Sequence, residues 1–328
     1  MTTQVIKQDE VGRIATTAAR LQGNIEQVIV GKGDIVVLCL VAILSEGHLL
    51  IEDVPGTGKT VLAKAMARSL GCTFRRIQGT PDLLPTDITG TYVFNQQSAE
   101  FEFRPGPIMS QVLLVDEINR ATPRTQSALL EAMQERQVTV EGETKALAPP
   151  FLVMATQNPV ELEGTFPLPE AQLDRFLMQV NMGYPSQEED KLILRRFRKE
   201  DPLNQLEAVV QSTELLELQE LVRKIHVSAP VEDYLINLVH ATRSHPMVEL
   251  GASPRAMLAL YRTSQGIAAI RGRAYVIPDD VKALAEYVLA HRVVPKVQSQ
   301  LRGTSARDIL RDVINSVPVP VEEEAWPE

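Results

Sequence analysis

The chain has 328 residues, 44% of them apolar, and a formal net charge of -9. A chain of this size can bury a sizeable core and most naturally forms two domains. The acidic balance argues against a broad nucleic-acid footprint, which needs a cationic face, and the longest apolar run, Ile35 to Leu44, is well short of the roughly 18 to 20 residues of a bilayer crossing.

The N-terminus carries Lys7, Asp9, Glu10 and Arg13 and no apolar core of the secretory type, so the expected location is the cytoplasm, with no membrane insertion. Ile35 to Leu44 reads as a buried helix. Cys39 and Cys72 lie in apolar surroundings without metal-ligand spacing and are expected to be buried reduced thiols. Next comes an apolar strand, His48 to Asp53, then Pro55-Gly56-Thr57-Gly58-Lys59-Thr60, then the amphipathic run from Val61 to Met66. Strand, glycine loop and helix in that order predict a phosphate-binding loop. Gly56 and Gly58 let backbone N–H groups approach a polyphosphate, Lys59 reaches its outer phosphates, and the Thr60 hydroxyl ligates Mg²⁺. Asp53 stands where the strict pattern has glycine.

Further strands are expected at Thr73 to Gln78, Val112 to Asp116, Phe151 to Gln157 and Phe176 to Met182. Alternation with helical segments predicts a parallel sheet covered on both faces, with ligand at the carboxyl ends of its strands. Two hairpins are expected outside that sheet, one with arms Thr91 to Phe94 and Phe101 to Phe103, the other flanking Glu141-Gly142-Glu143. Asp116 and Glu117 end the third strand, where Asp116 can hold Mg²⁺ through its water shell and Glu117 can orient and deprotonate water. Asn158, at the end of the fourth, is placed to position that water or to contact the terminal phosphate. From Ser186 onward the pattern turns helical, with starts at Ser253-Pro254 and Pro278-Asp279-Asp280. The basic run Arg195 to Lys199 follows Glu188, Glu189 and Asp190 and reads as a solvated, charge-paired face. Val317 to Glu328, with three prolines and three glutamates in a row, reads as a frayed acidic tail.

Taken together, the chain resembles the MoxR family of AAA+ ATPases over about residues 10 to 315. The segments that carry the resemblance are Glu52 to Thr60, where that family also has an acid in place of the first glycine, Phe103-Arg104-Pro105-Gly106-Pro107, Asp116 to Ala121, Ala155 to Pro159, Leu168 to Phe176, and Ser253-Pro254-Arg255-Ala256. The resemblance implies an α/β fold, the AAA+ P-loop NTPase αβα sandwich with a parallel sheet, followed by an all-helical lid. It divides the chain into a core with two hairpin insertions at 1–185, a lid at 186–316 and a tail at 317–328. It makes Lys59 and Thr60 the Walker A pair, Asp116 and Glu117 Walker B, and Asn158 sensor 1. Pro55 to Val61 line the phosphates and Val28, Ile29, Val30 and Gly31 touch adenine. Arg175 is implied as the arginine finger and Arg255 as sensor 2, acting in cis or in trans. A finger implies a ring, expected to be hexameric, that hydrolyses ATP with Mg²⁺. The partners it implies are a von Willebrand factor A domain protein and a client complex matured or activated by remodelling, including metal insertion.

Three rival functions share parts of this pattern: a chelatase-like motor subunit, a nucleic-acid motor or transcription activator, and a nucleotide-gated scaffold with little turnover. Against the second stand the charge balance and the first hairpin tip, Asn95 to Glu100, which lacks basic residues. Intact Glu117 and Arg175 speak against the third.

Overall fold

The computed structural model describes residues 6–158, 164–198 and 200–320. Pro159 of the expected Asn-Pro motif, Lys199 of the basic run, and the last eight residues of the expected tail lie outside the described residues. Two helices open the chain, α1 (Gln8–Glu26) and α2 (Gly33–Leu44). The second contains the predicted apolar run and buries nine of its residues, Cys39 among them. Strand β1 (Leu49–Glu52), α3 (Lys59–Ser69), β2 (Phe74–Gln78) and α4 (Pro85–Thr89) follow. Then come the first hairpin, β3 (Gly90–Asn95) with β4 (Glu100–Pro105), strand β5 (Val112–Asp116) and α5 (Pro123–Glu135). The second hairpin, β6 (Gln137–Val140) with β7 (Glu143–Ala146), leads to β8 (Leu152–Gln157), α6 (Glu170–Leu173) and β9 (Met178–Val180).

Strands β2, β5, β8, β1 and β9, in that order, form one parallel sheet, and each hairpin pairs only with itself. The sheet works by alternation. Leu49, Ile51, Leu114, Leu152, Met154, Met178 and Val180 point into one apolar cluster. Leu50, Leu113, Val115, Val153 and Ala155 point into another, shared with α4, α5 and Phe151. All of these side chains are buried on both faces, which is why the strands read as unbroken apolar runs. Leu114 is fully buried in β5, between β2 and β8. Leu114→Ala is therefore expected to lower unfolding free energy by about 2–5 kcal/mol, read from chemical denaturation.

After the sheet come α7 (Gln187–Arg196), α8 (Ser212–Val222), α9 (Ala229–Ser244), α10 (Pro254–Ile270), α11 (Pro278–Leu289), α12 (Val297–Leu301) and α13 (Ala306–Ser316), and the helical lid lies in this part of the chain. It is helical as expected, with one addition. Strands β10 (Val248–Leu250) and β11 (Val294–Pro295) make a short antiparallel ladder, too brief to leave a period-two signal. Ser253 caps α10 by accepting from the Ala256 amide, and Pro254 is its first residue. Helix α7 starts at a capping box of Ser186 and Glu189. Its charge pairing differs from expectation: Lys191 pairs with Glu188 at 2.6 Å, whereas Arg196 reaches across to the carbonyl of Glu26. Helices α1 and α2, though they precede the phosphate loop in sequence, pack against α8 and α10. The apolar cluster on their side of the sheet consequently runs without a break into the lid, through Leu218, Leu235, Leu260 and Leu284.

Candidate nucleotide-binding site

The loop after β1 turns through Gly56 (φ +86°) and Gly58 (φ +91°), a backbone conformation that residues with a Cβ adopt only under strain. No atom lies within 4 Å of where a Cβ would stand on either, so the two glycines are needed for backbone conformation rather than for space. Helix α3 begins directly afterwards, so its free N–H groups face the loop. Lys59 is folded into the loop, its Nζ donating to the carbonyls of Asp53 (2.9 Å) and Val54 (3.0 Å). Burial lowers the pKa of its ammonium, opposed by the charges of Asp53, Asp116 and Glu117.

The acid in place of glycine has a structural account. Asp53 is buried, and its carboxylate accepts from its neighbour's amide, Val54 (2.8 Å), and from the amides of Met182 (3.0 Å) and Gly183 (2.8 Å) beyond β9. It ties the loop to the far edge of the sheet. Asp53→Gly, which restores the strict loop pattern, is expected to weaken nucleotide affinity about tenfold, checked by fluorescent-nucleotide titration, because charge-assisted bonds of this kind contribute roughly 1.5–3 kcal/mol.

Opposite the loop, at the end of β5, Asp116 is buried. Its carboxylate accepts from Thr60 Oγ1 (3.5 Å), Thr156 Oγ1 (3.3 Å) and Arg76 Nε (2.6 Å). Glu117 takes a left-handed backbone conformation, φ +54°, and its amide donates to Thr156 Oγ1 at 2.9 Å. Its side chain is held by Gln78 Nε2 (2.8 Å) and Arg120 Nη1 (3.3 Å). Asn158 completes the wall. Pro55, Gly56, Gly58, Lys59, Thr60, Val61, Asp116, Glu117 and Asn158 thus line one cavity of about 350 Å³. A second, mostly apolar hollow of about 190 Å³ adjoins it, sharing Gly56, Gly58 and Val61 and bounded by Val28, Ile29, Val30, Thr57, Ile193 and Phe197. Gly31, also expected near adenine, follows Val30 directly. It has φ +70°, and a Cβ there would strike the Glu189 side chain.

Arg175 and Arg255 are absent from both hollows. They line a different cavity of about 370 Å³, with Glu46, Arg136, Asp174, Arg262 and Arg292. Asp174, the obvious sequence neighbour to pair with Arg175, is instead bonded to Arg292 at 2.7 Å. Arg255 Nη2 donates to Gln134 at 3.4 Å.

Comparison with known proteins agrees with this layout. Residues 48–178 match the model of the ATPase family associated with various cellular activities (AAA), and residues 240–313 match the AAA lid domain. The chain is 50% identical to uncharacterized YeaC of Bacillus subtilis over 92% of its own length and 94% of that protein's. It is 44% identical to the chaperone MoxR1 of Mycobacterium tuberculosis, covering 93% of this chain and 82% of that one. The chain belongs to the MoxR family of AAA+ ATPases. A solved chain from Cytophaga hutchinsonii, assigned as an ATPase, superposes on this MoxR protein with a TM-score of 0.90 at 37% identity, covering 95% and 98% of the two chains.

Sequence reasoning missed several residues of this MoxR site. Arg76 and Gln78 were legible in principle, since period two puts both on one face of β2, and the register pairs Gln78 with Asp116. Thr156 sits on β8 beside β5, and nothing in its local pattern marks it. No helix among the described residues is long and apolar enough to cross a membrane.

His48 shows a bland use of a titratable group in this MoxR chain. It is buried behind the sheet, with Nε2 on the Met133 carbonyl (3.0 Å) and Nδ1 accepting from the Val153 amide (3.0 Å). Burial, reinforced by the Arg136 charge, pushes its pKa down to about 3. A histidine lowered in the folded state contributes stability that is full above its unfolded value of about 6.5 and is lost as pH falls toward 3. Stability is therefore expected to decline from pH 6.5 to pH 4, and His48→Gln to flatten that decline, as read from unfolding midpoints across the range.

Proposed function

We propose that this chain hydrolyses ATP within a ring of identical copies, expected to be hexameric, and uses the cycle to remodel, mature or activate a client protein complex in the cytoplasm. A partner with a von Willebrand factor A domain and tasks that include metal insertion belong to the same reading. The observation that carries it is the convergence of the glycine loop, Lys59, Thr60, Asp116, Glu117 and Asn158 on one cavity beside an apolar hollow of a size to take a base. In this reading residues 1–185 bind nucleotide, 186–316 form the lid and 317–328 a tail.

The apolar hollow takes adenine, and the amides around Gly56 and Gly58 with the Lys59 ammonium take the phosphates. Thr60 and Asp116 present hard oxygen donors converging to 3.5 Å, a donor set that suits Mg²⁺ with most of its waters retained. When bound, that ion supplies charge neutralisation at the phosphate oxygens. Glu117, oriented by Gln78 and Arg120, takes the proton of the attacking water, and Asn158 aligns that water against the terminal phosphate. Arg175 and Arg255, which line a cavity other than the one at the chain's own loop, serve the nucleotide of a neighbouring copy. A capture experiment with full-length Glu117→Gln and ATP tests the role. Recovery of one complex with ATP and its loss with ADP is the expected result; identical capture with both nucleotides overturns it.

A further inference from the structure

We infer that Asp174, gripped by Arg292 and Ser253, is a positioning residue that sets Arg175 and Arg255 as a single cationic edge, an inference that rests on those arginines serving a neighbouring copy's nucleotide. Arg292 has a side chain only 2% exposed. A guanidinium has five N–H groups, and all five are engaged: Nε with the Asp174 carboxylate (2.7 Å), Nη1 with the carbonyls of Leu177 (3.0 Å) and Val288, and Nη2 with the carbonyls of Asp174 (3.2 Å) and Phe176 (2.5 Å). The segment Asp174 to Leu177 is thus wrapped around a buried cation delivered by the lid. Burying such a charge is costly even when it is fully paired, so its return lies in specifying one arrangement of the chain around it.

The same carboxylate reaches a second lid element. Ser253 Oγ donates to Asp174 Oδ2 at 3.1 Å and Oδ1 at 3.2 Å while accepting the Ala256 amide at 3.1 Å. Ser253 is the cap of α10, and Arg255 is that helix's second residue. One carboxylate therefore fixes both the backbone that carries Arg175, its immediate neighbour, and the start of the helix that carries Arg255. Both arginines border the same cavity. Asp174 itself is occupied by its clamps and acts through the arginines alone.

The test uses full-length chains mixed in equal amounts. Misplacing a reacting group by about 1 Å costs around 10²-fold, so Asp174→Ala alone is expected to turn over ATP roughly 10- to 100-fold more slowly while binding ATP within about twofold of the parent. Its own cradle and Glu117 remain intact, so Glu117→Gln chains, inactive but with a sound cationic edge, should complement it. The expected result is a mixture several-fold more active than the mean of the two variants. Arg175→Ala mixed with Glu117→Gln is the reference. Should Asp174→Ala not fold, the isosteric Asp174→Asn is read in the same way. Parental turnover by the Asp174 variant, or complementation of Arg175→Ala but not of the Asp174 variant, overturns the inference and leaves the service in trans standing. Failure of the Arg175→Ala reference to be complemented overturns both.

Discussion

Glu117→Gln is expected to reduce ATP turnover by about 10²–10⁴-fold, the range lost when a positioned general base is removed, with ATP affinity unchanged. The geometry separates the two effects. In the proposed binding mode affinity comes from the glycine loop and Lys59 on one side of the cavity, whereas Glu117 stands on the other at the end of β5, anchored by Gln78 and Arg120. Both anchors donate to the same Glu117 oxygen, Oε2, so an amide with its oxygen in that position keeps the shape and both hydrogen bonds and loses the ability to accept a proton. Single-turnover hydrolysis beside equilibrium nucleotide titration checks this. Parental turnover would remove Glu117 from the chemistry.

Arg175→Ala is expected to cost about 10³-fold or more in turnover, on the order of 4 kcal/mol of transition-state stabilisation, as for other arginines that reach a transferring phosphoryl group. Because Arg175 lies outside the cavity that holds Lys59 and Glu117, the loss should appear in the rate and not in the affinity of the variant's own site. Parental chains should also lose turnover per protomer on dilution, as neighbours separate. Rates measured across a thousandfold concentration range, for both proteins, provide the check. A constant rate per protomer on dilution would place all of the catalytic machinery within one chain.

The strand ends and the glycine loop were legible in the sequence because each rests on local chemistry. Unbroken runs such as Val112 to Val115 reflect burial on two faces, and the Ser253-Pro254 helix start reflects backbone donors that need an acceptor. Residues that act across elements left no such mark. Arg292 is more than a hundred positions from Asp174, and only the folded chain shows that a buried guanidinium holds that carboxylate. Likewise, the helical pattern of α1 says that one stripe is apolar without saying that α10 covers it. The short ladder of β10 and β11 was invisible for want of length.

Because oil-like packing passes uninterrupted from the sheet through the two opening helices into α8 and α10, the protomer is built as one girder rather than as a jaw on a hinge. Prising it apart would wet a seam of leucines and valines. In the proposed ring, the stroke then falls at the joints between copies, and mutations that loosen the girder are expected to drain mechanical output before they touch the chemistry.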